Sequence, residues 1–311
     1  MEFLKKIAPY IFIVRPKNLL IIGFTQFILY HFLFATYADV VALSGHLLYI
    51  FILDTILIAA GGYIINDIID YKSDAVNKPD KTYLLNDISI ENAKRYYYLI
   101  LFAGLVLSVY IAIKTNNIPL IALYPMVCAV LYLYSSRYKS SVLTGNVIVS
   151  LFVAFVSGII LLAERNLIFN PTSEAMQSHI LQVLIFYITF SFLINFIREI
   201  IKDIEDIEGD KNMGYVTLPI KYSILVAKRW SIFLSLASIV LLLAWMFTTS
   251  IPLDFRIMMY LLLLVAAPLV VIIQILTKTT HKRDFSKIST ILKWIMLAGL
   301  GALILITKTI P

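Results

Sequence analysis

Cysteine is almost absent: the 311 residues hold one, Cys128, inside an apolar run. An intrachain disulfide is impossible, and a thiolate-rich metal site has no ligands to draw on. Charge is scarce too. Asp, Glu, Lys and Arg make up 14% of the chain, where a soluble domain carries about 25%. With 60% hydrophobic residues and a mean hydropathy of +0.89, an ordinary soluble fold is excluded. The four histidines, His31, His46, His179 and His281, show no metal-ligand spacing. The start, Met1 to Lys6, has the charge of a signal peptide but no small-residue cleavage site, and a full-length span follows, so the first helix is expected to be retained. The net charge of +7 would suit a nucleic-acid partner, but its distribution points to membrane topology instead.

What is present in quantity is long apolar runs. They give about nine spans, near residues 18–37, 44–66, 96–113, 118–134, 143–163, 179–200, 225–247, 256–276 and 289–307. At about 20 residues per membrane helix, the chain is used up as one all-α polytopic bundle. Basic residues alternate between loops. Lys5, Lys6, Arg15 and Lys17 precede the first span; Lys72 to Arg95, then Arg137 and Lys139, then Arg198 to Arg229, then Lys278 to Lys287 fill every second connection, while the others carry only Lys114, Arg165 and Arg256. The positive-inside rule then places the N-terminus and the long basic loops in the cytoplasm, and an odd number of spans places the C-terminus outside the cytoplasmic membrane.

Acids interrupt this pattern twice. Asp67, Asp70 and Asp74, led by Asn66, fall at i, i+3 and i+7 at the end of the second span; Asp203, Asp206 and Asp210 repeat the spacing after the sixth. On a helix three such positions lie within about 60° of one another, a repulsive arrangement unless a cation sits among them. Both clusters come out on the cytoplasmic side, where they are expected to face a central cavity. Carboxylates of this kind suit Mg²⁺, which takes hard oxygen ligands and is usually completed by substrate phosphate. Lys72, Lys78, Lys81, Arg137, Lys139, Arg198 and Lys202 lie near the clusters and could hold the remaining phosphate charge. A diphosphate at the mouth of an apolar bundle implies a ligand with a long hydrocarbon tail, and metal ions would make that diphosphate a better leaving group. Asp54, deeper in the second span, reads as a cavity wall or a paired polar group, and Tyr134 and Asn146 flank the Arg137 loop without an assigned role.

Asn66-Asp67-x-x-Asp70-x-x-x-Asp74 and Asp203-x-x-Asp206-x-x-Gly209-Asp210 resemble the two signature motifs of the UbiA superfamily of intramembrane prenyltransferases. The likeness runs from Arg15-Pro16-Lys17-Asn18 to the late spans, so residues 1–311 are expected to form a single domain of that type. The resemblance implies two Mg²⁺ ions, a prenyl diphosphate donor, and attack of a lipophilic acceptor on the allylic C1. It implies that Asn66, Asp67, Asp70, Asp74, Asp203, Asp206 and Asp210 hold metal, with Asp67, Asp70, Asp203 and Asp206 catalytic. It also implies that Asn18, Lys78, Lys81, Arg137, Lys139, Arg198 and Lys202 touch substrate. Within the superfamily, Arg198 to Lys211, Thr217-Leu218-Pro219-Ile220 and Asn77-Lys78-Pro79-Asp80 are similar to the archaeal-type digeranylgeranylglyceryl phosphate synthases, which implies a geranylgeranyl donor and geranylgeranylglyceryl phosphate as acceptor. The chain departs from that subfamily at Lys81-Thr82-Tyr83-Leu84-Leu85-Asn86, which keeps a charge but lacks its Pro/Gly turn. Two other readings stay open: an aromatic acceptor such as hydroxybenzoate or dihydroxynaphthoate, and, in another class, a transporter or channel with acidic rings at its mouth. A CDP-alcohol phosphotransferase would need an Asp-Gly-x-x-Ala-Arg segment that the chain lacks.

Overall fold

A long apolar stretch in hydrocarbon can satisfy its backbone internally only as a helix, and helices dominate here. The computed structural model describes residues 2–35, 41–77, 83–84, 87–165, 174–279 and 281–307. Among them, nine helices are long and apolar enough to cross a membrane. They are α2 (Pro16–Phe34), α3 (His46–Asn77), α4 (Ile90–Lys114), α5 (Pro119–Tyr138), α6 (Thr144–Ala163), α7 (Glu174–Glu205), α10 (Ile224–Thr248), α11 (Phe255–Lys278) and α12 (Lys282–Thr307). Three shorter helices complete the order: α1 (Glu2–Ile13), α8 (Ile207–Asn212) and α9 (Leu218–Lys221). No strand occurs among the described residues beyond an isolated bridge between Leu84 and Ile88.

The expected span count stands, with two differences at the ends. Helices α3 and α7 run on past the expected span ends at residues 66 and 200, so Asp67, Asp70, Asp74 and Asp203 sit on helix, as their spacing implies. Hydropathy falls where charge begins, but i to i−4 bonding continues across the change. The second difference is α1, which ends before Arg15 and is too short, at 12 residues, to register as a span.

Contacts divide the chain into two compact units, residues 1–27, 42–139 and 162–164, and residues 28–41, 140–161 and 165–311. In the first, α3 packs along α4 and α5. Its core joins Ile13 and Val14 to Ala60, Ile64, Ile65 and Ile68 of α3 and to Ala93, Tyr97 and Ile100 of α4. Lipid tails are as apolar as these side chains, so close packing rather than water exclusion holds such helices together. Gly104 shows how close: a Cβ there would lie 2.9 Å from the Tyr124 ring, whose hydroxyl donates to the Leu101 carbonyl at 2.7 Å. In the second unit, α7 packs against α10 and α12. On α10, Ser231, Ser235 and Ser238 are buried and return their hydroxyls to the carbonyls one turn back, which presents a small, satisfied surface. Three π-helical turns, Leu29–Phe34, Tyr134–Tyr138 and Leu262–Ala266, interrupt the spans; the last ends two residues before Pro268, which cannot donate to the ladder.

Glu164, just past α6, accepts the backbone N–H groups of Ala42 and Leu43 at 2.7 and 2.8 Å, one on each oxygen. It is fully buried; burial pushes its carboxyl up from the usual range, and the two donors pull part of the way back. Glu164→Ala would strand two N–H groups, and about 2–4 kcal/mol of destabilisation is expected, read as a lowered unfolding midpoint in detergent. A loss under 0.5 kcal/mol would mean water replaces the carboxylate.

Candidate active site

The first acidic motif is organised by two basic side chains from distant sequence. Arg15 lies at the joint between α1 and α2 in the left-handed region (φ 55°). Its N–H bonds back to Phe12, while its carbonyl accepts from Asn18 and Leu19 and so starts α2. A non-glycine residue in that conformation costs of order 1 kcal/mol. The geometry turns the guanidinium over the Tyr63 ring, 4.8 Å from its centre, and onto Asp67 Oδ1 at 2.6 Å. Asp70, one turn on, is 1% exposed and pairs with Lys139. The π-turn at the end of α5 delivers that lysine: the Lys139 N–H reaches five residues back to Tyr134. Arg137, on the same turn, is exposed. Asn66 and Asn18 are half-buried on α3 and α2. Asp74 falls on α3, but its side chain, like Lys78 and Lys81, lies outside the described residues. Asp54 is buried with its Oδ1 accepting no hydrogen bond.

The second motif is built differently. Asn146 of α6 donates to Asp203 Oδ2 at 2.8 Å. Ser150 donates to the Asn146 carbonyl at 2.6 Å, and Asn195 of α7 donates to the Ser150 hydroxyl at 3.3 Å. This buried polar ladder fixes both the helix and the amide that grips Asp203. The helical face expected to carry Asp203, Asp206 and Asp210 together is interrupted: α7 stops at Glu205 and Asp206 sits at φ −97°, ψ 8°. Four acids crowd residues 205–210, and like charges at i, i+3 and i+4 oppose a straight helix. The ladder survives the kink, since Asp206 N–H still reaches Lys202 and Asp210 N–H reaches Asp206. After Asp210 the chain closes in a Schellman turn. Gly214 (φ 71°) donates to Lys211 and Tyr215 to the Asp210 carbonyl, which explains the glycine at that position. One helical turn before Asp203, Glu199 holds Arg198 at 2.7 Å and Lys202 at 3.4 Å.

Of the cations the sequence placed near the motifs, Lys139 pairs with Asp70, while Arg198 and Lys202 pair with Glu199 instead; Arg15, Asn146 and Glu199 were passed over as site residues. The signals present were a basic residue before Pro16, an amide early in a span, and adjacent opposite charges inside an apolar helix. All donors on the motifs are carboxylate or amide oxygens, a hard set of the kind Mg²⁺ takes. Among the described residues no three His, Cys, Asp or Glu side chains gather as a complete metal cage.

The profile of the UbiA prenyltransferase family matches residues 25–297. The chain belongs to the UbiA prenyltransferase family. It is an enzyme of the prenyltransferase class and an integral membrane protein. This UbiA protein is similar to the digeranylgeranylglyceryl phosphate synthase of Methanocaldococcus jannaschii, at 29% identity over 298 residues and 94% of each chain. Its fold is similar to a solved digeranylgeranylglyceryl phosphate synthase, with a TM-score of 0.65, 25% identity, and 98% of this chain and 99% of that one covered. It is also similar in fold to an Archaeoglobus fulgidus UbiA homolog solved with GPP and Mg²⁺, with a TM-score of 0.57, 16% identity, and 95% and 99% covered.

Proposed function

We propose that this UbiA enzyme transfers a geranylgeranyl group from its diphosphate to the free hydroxyl of geranylgeranylglyceryl phosphate, in ether-lipid synthesis. The observation that carries the reading is the likeness over 298 residues to the synthase from M. jannaschii. On this reading Asn66, Asp67, Asp70 and Asp74 in one motif, and Asp203, Asp206 and Asp210 in the other, supply the ligands for two Mg²⁺ ions. Bound there, Mg²⁺ would neutralise the diphosphate and make it a better leaving group. Asn18, Lys78, Lys81, Arg137, Lys139, Arg198 and Lys202 contact the phosphate groups of the two substrates.

The allylic C1–O bond breaks with its electron pair leaving on the diphosphate. The acceptor oxygen forms the new C–O bond, and its proton passes to a motif carboxylate. Arg15 and Lys139 pair with Asp67 and Asp70 and orient them before substrate arrives, so the site is ordered in advance. The apolar bundle keeps water from the allylic cation. The basic-loop asymmetry puts this chemistry at the cytoplasmic face, with the N-terminus inside and the C-terminus outside.

The test is transfer of label from radiolabelled geranylgeranyl diphosphate in membranes carrying the protein. Label is expected to enter a phosphorylated diether when geranylgeranylglyceryl phosphate is supplied, and to disappear with EDTA. Labelling of hydroxybenzoate or dihydroxynaphthoate instead, or transfer that survives EDTA, would overturn the proposal.

A further inference from the structure

Lysine inside a membrane span needs a reason, because an ammonium in hydrocarbon is costly unless it reaches water or a partner. Lys293 lies 11 residues into α12, about 16 Å along the helix axis. Lys287, nearer the start of that helix, pairs with Asp284 at 3.1 Å. Lys293 is exposed and makes no ion pair with a described residue. Its electrostatic surroundings come from α7: Arg198, Lys202, Glu199 and Glu205. Three cations thus share one locality with two carboxylates. Glu199 is already engaged, holding both Arg198 and Lys202.

Arg198 carries the more specific sign. Its side chain is 16% exposed and its Nη1 is spent on Glu199, yet its buried Nε–H has no hydrogen-bond partner. A buried guanidinium N–H left unmatched costs of order 1–3 kcal/mol. The Nε edge of a guanidinium is a fork that matches two phosphate oxygens. Glu199 fixes the guanidinium by its other end and so presents this edge. A phosphomonoester carries close to two negative charges and more acceptor oxygens than one guanidinium can fill. Ammonium groups from Lys202 and Lys293 supply the remaining donors as point charges. A diphosphate finds its neutralising charge on the metal ions that the motif aspartates bind; a phosphomonoester with no metal of its own must find it in side chains.

We propose that Arg198, Lys202 and Lys293, braced by Glu199, bind the phosphate of the glyceryl phosphate acceptor, with Lys293 of the last span as the residue that selects a phosphorylated acceptor. This rests on the acceptor assigned above. The shared chemistry is a lipid-borne phosphate, so an anionic bulk lipid is the competing source.

The experiment uses the full-length protein purified in neutral detergent. Lys293→Met is expected to raise KM for geranylgeranylglyceryl phosphate at least tenfold, with KM for geranylgeranyl diphosphate and the Mg²⁺ requirement within twofold of the parent. With geranylgeranylglycerol, which lacks the phosphate, parent and variant are expected to have equal KM, and Lys293→Arg should recover most of the loss on the phosphorylated acceptor. A thermal-shift arm measures binding without turnover: the glyceryl phosphate lipid should raise the melting temperature of the parent and not of Lys293→Met. An unchanged acceptor KM, or an equal loss on both acceptors, overturns the proposal. So does a difference that appears only when phosphatidylglycerol is added, which would assign Lys293 to a bulk headgroup. Failure of the acceptor assignment itself is seen separately, as a parent enzyme that alkylates neither glycerol lipid.

Discussion

Asp67→Asn is expected to lower kcat by about a thousandfold or more while leaving the protein folded. The change keeps shape and removes charge. In the resting protein that charge faces Arg15 across a pair whose side chains are 41% and 20% exposed, and a pair that open contributes at most about 1 kcal/mol to stability. The structural loss is therefore small. The catalytic loss is large, because a neutral amide holds Mg²⁺ more weakly than the carboxylate it replaces and a single preorganised group at a developing charge is worth about 10²–10³ in rate. Asp203→Asn should behave alike. Asn146→Ala should fall between, at about 10- to 100-fold, the usual cost of losing a partner that orients a ligand, since its 2.8 Å bond aims the Asp203 carboxylate. The checks are steady-state rates, the Mg²⁺ concentration for half activation, and the unfolding midpoint in detergent. The Asn146 variant should shift the Mg²⁺ requirement upward and recover part of its rate in excess Mg²⁺. An Asp67→Asn enzyme within tenfold of the parent would remove the first motif from the chemistry.

The order of these effects reflects what a sequence can and cannot disclose. The nine spans were legible because hydropathy is summed over a window and tolerates local error; every described span overlaps its expected range. The acids were legible because a repeated spacing survives without coordinates. The residues that set their geometry were not. Arg15 and Asp67 are 52 positions apart, Asn146 and Asp203 are 57, and Glu164 lies more than 120 from the amides it holds. Nothing local in Glu164, an acid just past a span, distinguishes it from a solvated one; only burial and two N–H donors do. The kink at Asp206 was hidden for a related reason: spacing assumes a straight helix, and the charge crowding that bends it acts on the same residues that define the motif. Extension of α3 to Asn77 was hidden because hydropathy ends before hydrogen bonding does.

The pair formed by Asp70 and Lys139 separates stability from activity. Asp70 is 1% exposed and Lys139 30%, so the two partners are unequal. Lys139→Met would leave a carboxylate buried without its cation, and about 3–5 kcal/mol of destabilisation is expected. Asp70→Asn leaves a lysine that can turn its ammonium toward solvent along a flexible stem, and about 1 kcal/mol is expected. The double variant, neutral at both positions, should be more stable than Lys139→Met alone, with a coupling of about 2–3 kcal/mol across the cycle. Activity should follow another pattern. Asp70→Asn and the double variant should both be inactive, because restoring electrical balance does not restore a metal ligand. Lys139→Met, assayed at a temperature where it is folded, should retain chemistry with a raised KM for the donor. Unfolding of purified protein in mixed micelles supplies the four stabilities, and radiolabel transfer supplies the rates. Additive stabilities would show that the pair is not coupled in the folded protein, and a double variant with restored turnover would show that Asp70 serves to neutralise Lys139 rather than to bind metal.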